Sequence, residues 1–130
     1  MMKWPKYFQE RLTLVNPKEG FVGVATCWSP KEDFAPLMPK NVAVVGQLYT
    51  KRGIEFIIRN LWLKPQVSTL VVCGRDSTES GEALLKGDFP QIEEIPSADL
   101  EIFQKKVRVV DFRQETDPKK VASKISQLKF

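Results

Sequence analysis

The chain has 130 residues, of which 42% are hydrophobic and 28% are charged, a composition typical of one soluble globular domain with a proper core. Its net charge of +4 comes from lysines scattered along the sequence, without the basic, aromatic-lined face that binds nucleic acid. The absence of histidine excludes Ser-His and Cys-His nucleophiles and imidazole-ligated metals.

The two cysteines, Cys27 and Cys73, lie in apolar runs and lack the CxxC spacing of a metal or redox site. We therefore expect free, buried thiols in a reducing compartment. No apolar run approaches the roughly 18 residues that span a bilayer, and no signal peptide is recognisable. The sequence predicts a cytoplasmic protein without a membrane span.

Residues 1–20 are mixed in character, and Pro5 and Pro17 argue against one long helix there. We predict that this segment is an N-terminal arm laid on the domain, with a short helix at Tyr7–Leu12. Residues 21–130 are predicted to form a single Rossmann-like α/β domain.

Four short apolar runs follow the arm, and their β-branched residues are nearly continuous rather than alternating. This pattern is typical of strands that are covered on both faces of a sheet. The predicted strands are Phe21–Trp28, Val42–Leu48, Thr69–Cys73 and Val107–Phe112.

Helical patterns lie between and after these strands. Ser97 and Asp117 are residue types that favour a helix N-cap, and Pro118 suits a first helical turn. The alternation of strands and helices predicts right-handed parallel βαβ units, and hence a three-layer α/β sandwich with a small, mainly parallel sheet. The predicted helices cover Ile54–Trp62, Glu79–Lys86, the residues from Ser97 through Leu100 and Phe103, and the residues after Asp117.

The turns that follow the strands are the predicted ligand site, because ligands of open parallel sheets bind beyond the carboxyl ends of the strands. Parallel strands would place three turns on one edge: Ser29–Met38, Gln47–Gly53 and Gly74–Gly81. We predict that a small molecule binds there. The predicted binding residues are Gly46, Gln47, Tyr49, Thr50, Gly53, Gly74, Arg75, Asp76, Ser77, Ser80 and Gly81.

The turn after the third strand, CGRDSTESG, has two interpretations. Free N–H groups at the helix start favour an anion, and Arg75 could pair with a phosphate or carboxylate. Ser and Thr equally serve as plain N-caps, and Gly74 as a plain turn residue. Neither GxGxxG nor GxxxxGK[ST] is present, so no nucleotide motif is supported.

Two aromatic residues at strand ends also have two interpretations. Tyr49 could stack on a ring or hydrogen-bond a ligand, or it could simply pack its ring and solvate its hydroxyl group. Trp28, at the end of the first predicted strand, is in the same position and could line the same pocket.

A series of short motifs spans nearly the whole chain. It begins with Trp4-Pro5, Val15-Asn16-Pro17 and a strand at Phe21–Thr26, and continues with VVGQLYTKRGIEFIIRNLWLKPQVSTLVVCG and EIFQKKVRVVDF. In this order the sequence resembles the A-type subunit of tetrahydromethanopterin S-methyltransferase and its soluble relatives. The resemblance implies a Rossmann-like domain that carries a corrinoid, whose cobalt relays a methyl group from the methylated pterin to coenzyme M.

The sequence departs from that family at the presumed ligand edge. In the family, the turn after the second strand presents a histidine taken as the cobalt's axial ligand, and the matching position here is Tyr49. A phenol is a poor substitute for imidazole, so the resemblance implies a corrinoid without a histidine axial ligand. The stretch from Leu85 to Leu100 is also shorter than the family pattern, and we expect no counterpart of the family's membrane-anchoring C-terminal helix.

Three functions stay open. The first is a binding domain for a corrinoid, pterin or nucleotide-type ligand, linked to methyl or one-carbon transfer. The second is a component or accessory domain of a pterin-dependent or thymidylate-synthase-like enzyme that uses Cys73, Arg75, Asp76 or Glu79. The third is a non-catalytic interaction subunit that contacts a protein partner or a second copy through Pro30–Pro39 and the arm. No complete catalytic constellation is visible, so enzymatic activity is left unassigned.

Overall fold

The computed structural model describes residues 12–49, 53–55, 57–58, 66–87 and 96–129. The predicted site residue Thr50 lies outside these residues, as do most of the helix predicted at Tyr7–Leu12 and the second half of the one predicted at Ile54–Trp62. The described part of the second helix, residues 53–55 and 57–58, is helical.

In the described part of the chain, five strands form one sheet in the order β1-β3-β2-β4-β5. Neighbouring strands among β2, β3, β4 and β5 pair in parallel, whereas β1 pairs antiparallel with β3 at one edge. The four predicted strands are confirmed with shorter bounds, and the strand predicted at Phe21–Trp28 has only half its predicted length. The strands are β1 (Leu12–Leu14), β2 (Val22–Ala25), β3 (Val42–Gly46), β4 (Thr69–Val72) and β5 (Arg108–Asp111).

The sequence-based prediction does not include β1, which lies in the segment predicted to be an arm. Three residues, Leu-Thr-Leu, are too short to show a period of two convincingly. Their strand conformation depends on pairing with β3, in which Leu12 lies opposite Gly46 and Leu14 opposite Val44. The strand β1 therefore forms because of a contact between residues that are distant in the sequence.

Three α-helices are fully described, α1 (Ser80–Lys86), α2 (Ser97–Lys106) and α3 (Pro118–Ser126), and two short 3-10 helices, Lys31–Asp33 and Ala35–Leu37, lie between β2 and β3. The predicted cap of α3 is confirmed, because Asp117 Oδ1 accepts a hydrogen bond from the Lys119 backbone N–H at 3.0 Å. The predicted Ser97 cap of α2 is wrong. Pro96 occupies the cap position with an extended backbone (φ −58°, ψ 149°), which makes Ser97 the first helical residue, and no side chain caps this helix.

Helical elements cover both faces of the sheet, which confirms the three-layer α/β architecture. On one face, Ile54, Ile58, Leu84 and Phe103 pack against the strands. On the other face, α3 packs through Val121 and Ile125, together with Phe34 from the β2–β3 connection. All four residues of both β2 and β4 are buried, which explains why these strands read as continuous apolar runs.

The order of the strands creates a topological switch point between β2 and β4. The chain leaves β2 toward β3 and packs Phe34 on one face, whereas it leaves β4 through α1 and α2 on the opposite face. In open α/β sheets the crevice at such a point, outside the carboxyl ends of the strands, is the usual ligand site. None of the helices in the described part of the chain combines the length and apolar character needed to span a bilayer.

Candidate functional site

The three predicted turns meet at one edge of the sheet. The register of the parallel pairs aligns Ala25 with Gly46 on one side and with Val72 on the other. Val72 is in turn aligned with Asp111 at the end of β5. The chain segments that follow these four residues therefore emerge side by side at the carboxyl edge.

At the switch point the turns after β2 and β4 are joined directly. The Trp28 backbone N–H donates to the Arg75 carbonyl oxygen at 2.8 Å, and the Arg75 N–H donates to Ser29 Oγ at 2.9 Å. Gly74 has φ +76°, and a Cβ added there would lie 2.1 Å from the carbonyl oxygen of Thr26. Position 74 therefore requires glycine for two reasons: a Cβ would clash with the Thr26 carbonyl oxygen, and the backbone has a positive φ that side chains disfavour.

An aromatic corner made of Trp28, Tyr49 and Thr78 stands beside this junction. Trp28 Nε1 donates to the Tyr49 carbonyl oxygen at 3.1 Å and to Thr78 Oγ1 at 3.4 Å. Thr78 Oγ1 also donates to that carbonyl at 2.6 Å, and the two aromatic rings meet edge to face with centroids 4.9 Å apart. The nitrogen side of the indole is held in place, yet the side chain remains 43% exposed.

The start of α1 is occupied by a carboxylate of the chain itself. Asp76 Oδ1 accepts from the Gly81 N–H and Asp76 Oδ2 from the Glu82 N–H, each at 2.9 Å. These are the backbone groups that were expected to favour an anion. Asp76 thus supports the structural interpretation of this turn, because it satisfies N–H groups that would otherwise have no partner in the helix.

Asp76 belongs to a charged group that we call the Arg113 cluster, made of Arg113, Asp76, Glu82 and Asp111. Arg113 pairs with Asp111 through two hydrogen bonds of 2.8 Å, from Nε to Oδ1 and from Nη2 to Oδ2. It also reaches Asp76 Oδ2 at 3.0 Å and Glu82 Oε2 at 2.7 Å. The guanidinium group therefore joins the ends of β4 and β5 to the first turn of α1.

Arg113 sets the ionisation of its neighbours. Its side-chain hydrogen bonds lower the pKa of Asp111 and the pKa of Glu82 below their ordinary values. The same bonds, led by those to Asp111, raise the pKa of Arg113. Asp111 and Glu82 are therefore held in their ionised forms at neutral pH, and the Lys86 ammonium approaches Glu82 at 3.4 Å from solvent.

Both cysteines are free and fully buried, as predicted. Cys27 has φ +54°, and burial together with the charge of Asp76 raises its thiol pKa to about 12. Burial also raises the pKa of the Cys73 thiol. Because the thiolate is the reactive form, these pKa shifts argue against either cysteine as a nucleophile at neutral pH.

The structure brings only some of the predicted binding residues together. Tyr49, Gly74, Arg75, Asp76 and Ser80 lie around the junction and the aromatic corner, with Ser80 Oγ 2.8 Å from Thr78 Oγ1.

The other described members of the predicted binding set make backbone or packing contacts, or lie partly or fully at the surface. The carbonyl of Gly46 accepts from the Thr26 N–H at 2.9 Å, Gln47 is half-buried after β3, and Ser77 is exposed. Gly53 packs closely on Leu48, and a Cβ added at Gly81 would lie 3.0 Å from Asp76 Oδ2.

Arg113, Asp111 and Thr78 were not among the predicted site residues. Asp111 is the last residue of β5, and Arg113 follows this strand as the residues of the three chosen turns follow theirs. The predicted site covered only the ends of the first three predicted strands. The carboxyl-edge rule, applied to the fourth predicted strand as well, would have found them.

The residues at this edge do not fit a corrinoid held by a histidine ligand, because the chain contains no histidine. Within the described residues, no group of three or more His, Cys, Asp or Glu side chains is arranged to hold a metal ion. The carboxylates that converge in the Arg113 cluster have a guanidinium at their centre instead.

No protein-family model matches the sequence. It is 28% identical over 144 residues to A-type subunit 2 of tetrahydromethanopterin S-methyltransferase from Methanothermobacter thermautotrophicus, across 95% of this chain and 76% of the relative. Identity to A-type subunit 1 of the same enzyme from Methanothermobacter marburgensis is 28% over 134 residues, across 88% of this chain and 56% of that relative. A-type subunit 2 from Methanobrevibacter ruminantium is 25% identical across 88% of this chain and 68% of its own length.

Proposed function

Because this chain is a distant relative of the A-type subunit of tetrahydromethanopterin S-methyltransferase, we propose that it is a ligand-binding domain linked to methyl or one-carbon transfer. The ligand is a small molecule of the corrinoid, pterin or nucleotide type. It occupies the carboxyl edge of the sheet, at the switch point between β2 and β4.

The observation that carries this proposal is the aromatic corner at the switch point. An indole that is 43% exposed would ordinarily be expected to bury more of its surface. Trp28 is instead held outward by its Nε1 hydrogen bonds to Tyr49 and Thr78. An exposed, rigid aromatic side chain at the edge where α/β sheets bind ligands supports a binding role.

The chemistry of the edge supports binding more than catalysis. Both thiols are protonated at neutral pH, and Asp76 is engaged with two backbone N–H groups and Arg113. A general base needs a lone pair that can reach the substrate proton. The domain therefore holds the methyl carrier or the acceptor, while a partner protein supplies the remaining groups.

Titration of the purified protein with hydroxocobalamin, reduced pterins and nucleotides tests the proposal, with absorbance and tryptophan fluorescence as readouts. Trp28→Ala should abolish binding. Ile102→Ala is the matched control, because Ile102 is a similarly exposed apolar residue (47%) on α2. Absence of binding at millimolar ligand in the wild-type protein would end the proposal.

We also propose a protein partner, because the names of the relatives denote subunits. The segment Pro30–Pro39, predicted as a contact surface, carries Leu37, which is 40% exposed. Light scattering on the purified protein and affinity purification from its own cells test this proposal. A strict monomer that captures no protein would contradict it.

A further inference from the structure

The charged groups at the carboxyl edge are already paired with one another, which restricts what the edge can bind. Resting on the function proposed above, we infer that the site takes its ligand through an uncharged planar heteroaromatic ring stacked on Trp28, and that it has no phosphate subsite at the start of α1.

Three of the first backbone N–H groups of α1 already have partners within the chain. Anions bind at the start of a helix because the first N–H groups have no partner inside the helix. In α1 the N–H groups of Gly81 and Glu82 both donate to Asp76, and the next, that of Ala83, donates to the Glu79 carbonyl oxygen at 3.0 Å. A phosphate would have to displace a carboxylate of the chain itself.

Displacement of Asp76 is opposed by Arg113. The guanidinium contacts Asp76, Glu82 and Asp111, all within 3.0 Å, so each of its three nitrogens has a carboxylate partner inside the cluster. A phosphate that approached Asp76 would also come close to three carboxylates that share a single guanidinium. Its negative charge would be repelled by those carboxylates. The Arg113 cluster thus occupies the helix start at which many α/β proteins bind phosphate.

Arg75 does not restore a phosphate site. Its backbone is bound to Trp28 and Ser29, and the residue is exposed. An exposed ion pair contributes at most about fivefold in affinity, because solvent screens it and the side chain loses freedom.

The indole of Trp28 remains open to a ligand. Its nitrogen side is fixed by Tyr49 and Thr78, and the ring packs edge to face on Tyr49. Aromatic faces bind other planar rings in stacked arrangements, and a side chain already held in place loses little freedom when a ligand binds.

Affinity measurements on matched probe pairs test this inference: riboflavin with FMN, adenosine with AMP, and 6-hydroxymethylpterin with its diphosphate. Within each pair the ring is the same and only the phosphate differs. For at least one pair we expect binding of the phosphate-free member, with the phosphorylated member no more than about fivefold tighter. Trp28→Ala should abolish binding of both members, and Arg75→Ala should change the affinity of the phosphorylated member by no more than that factor.

Other outcomes separate this inference from the proposed function. A phosphorylated member that binds more than about fivefold tighter than its partner overturns the inference and leaves the proposed function standing. Binding of hydroxocobalamin with no binding of any ring probe does the same. If neither cobalamin nor any probe binds, the proposed function fails, and the inference falls with it.

Discussion

Arg113 Nη1 donates to Asp76 Oδ2 across 3.0 Å, which joins the turn after β5 to the turn after β4. The two residues are separated by 37 positions in the sequence. Asp76 in turn holds the first N–H groups of α1. One side chain near the end of the chain therefore fixes the conformation of a turn that belongs to the candidate site.

Replacement of Arg113 by alanine should destabilise the protein by about 2 kcal/mol, between the values for exposed pairs and for fully buried ones. The loss arises because three carboxylates would remain close together without their common partner. Arg113→Lys should recover only part of this stability, since an ammonium group cannot form the paired bonds to Asp111. Urea unfolding followed by circular dichroism measures both effects.

Lys86→Ala is the control for this prediction. Lys86 also contacts a carboxylate of the cluster, but its side chain is 70% exposed, so its removal should leave the unfolding midpoint unchanged. Equal stability of the Lys86→Ala and Arg113→Ala proteins would show that the cluster does not hold the edge together.

The stability of the protein should fall in acid through the same cluster. The pKa values of Asp111 and Glu82 are lowered in the folded protein, mainly by hydrogen bonds from Arg113. Groups with a lowered folded pKa contribute stability above their unfolded pKa of about 4, and this contribution is lost as the pH falls through the folded pKa. Urea midpoints measured from neutral pH down into this range should therefore decline, and more shallowly in Arg113→Ala. Parallel declines would contradict this assignment.

Two glycines of similar conformation should respond differently to alanine. Gly74 and Gly87 have φ values of +76° and +73°, so alanine at either position has the same backbone strain of roughly 1 kcal/mol. At Gly87 the added Cβ meets nothing nearer than a flexible glutamine side chain at 3.4 Å, whereas at Gly74 it lies 2.1 Å from a backbone oxygen of Thr26. We expect Gly87→Ala to fold with about that loss and Gly74→Ala to lose several kcal/mol or fail to fold. Similar losses in urea unfolding would refute the close contact at the junction.

The two thiols should be protected from alkylation in the native protein. Cys27 and Cys73 are completely buried, and burial raises the pKa of both thiols, that of Cys27 to about 12. Iodoacetamide at about pH 8 should label neither thiol in the folded chain and both in urea, where the pKa returns to about 8.5. Mass spectrometry counts the labels. Rapid labelling of one thiol in native buffer would place that cysteine at an accessible position.

The layers of the fold could be predicted from the sequence because β2, β3 and β4 are buried on both faces and therefore read as apolar runs. The strand β1 could not, because its three residues become a strand only through pairing with β3. The cap of α3 was readable from Asp117 itself, whereas the start of α2 depends on the extended backbone of Pro96, which places the cap one residue earlier than expected.

The shared edge of the candidate site was also predictable, since parallel strands deliver their turns to one side. The contacts that the charged side chains at that edge make with one another were not predictable. Asp76 looked like one of several polar turn residues, and its role became visible only when Arg113 and the N–H groups of α1 were placed beside it. An anion site was one of two interpretations of this turn, and in the structure the anion at the start of α1 is the Asp76 carboxylate of the chain itself.

The order of the strands also bears on how the chain assembles as it is synthesised. β2 is made before its two parallel neighbours and lies between them, and β5 then adds outside β4. Each of the later parallel strands can therefore dock on an edge that already exists, and none has to be inserted between two paired strands. β1 is the exception, because it is synthesised before β3 and cannot form its strand pairing until β3 has been made.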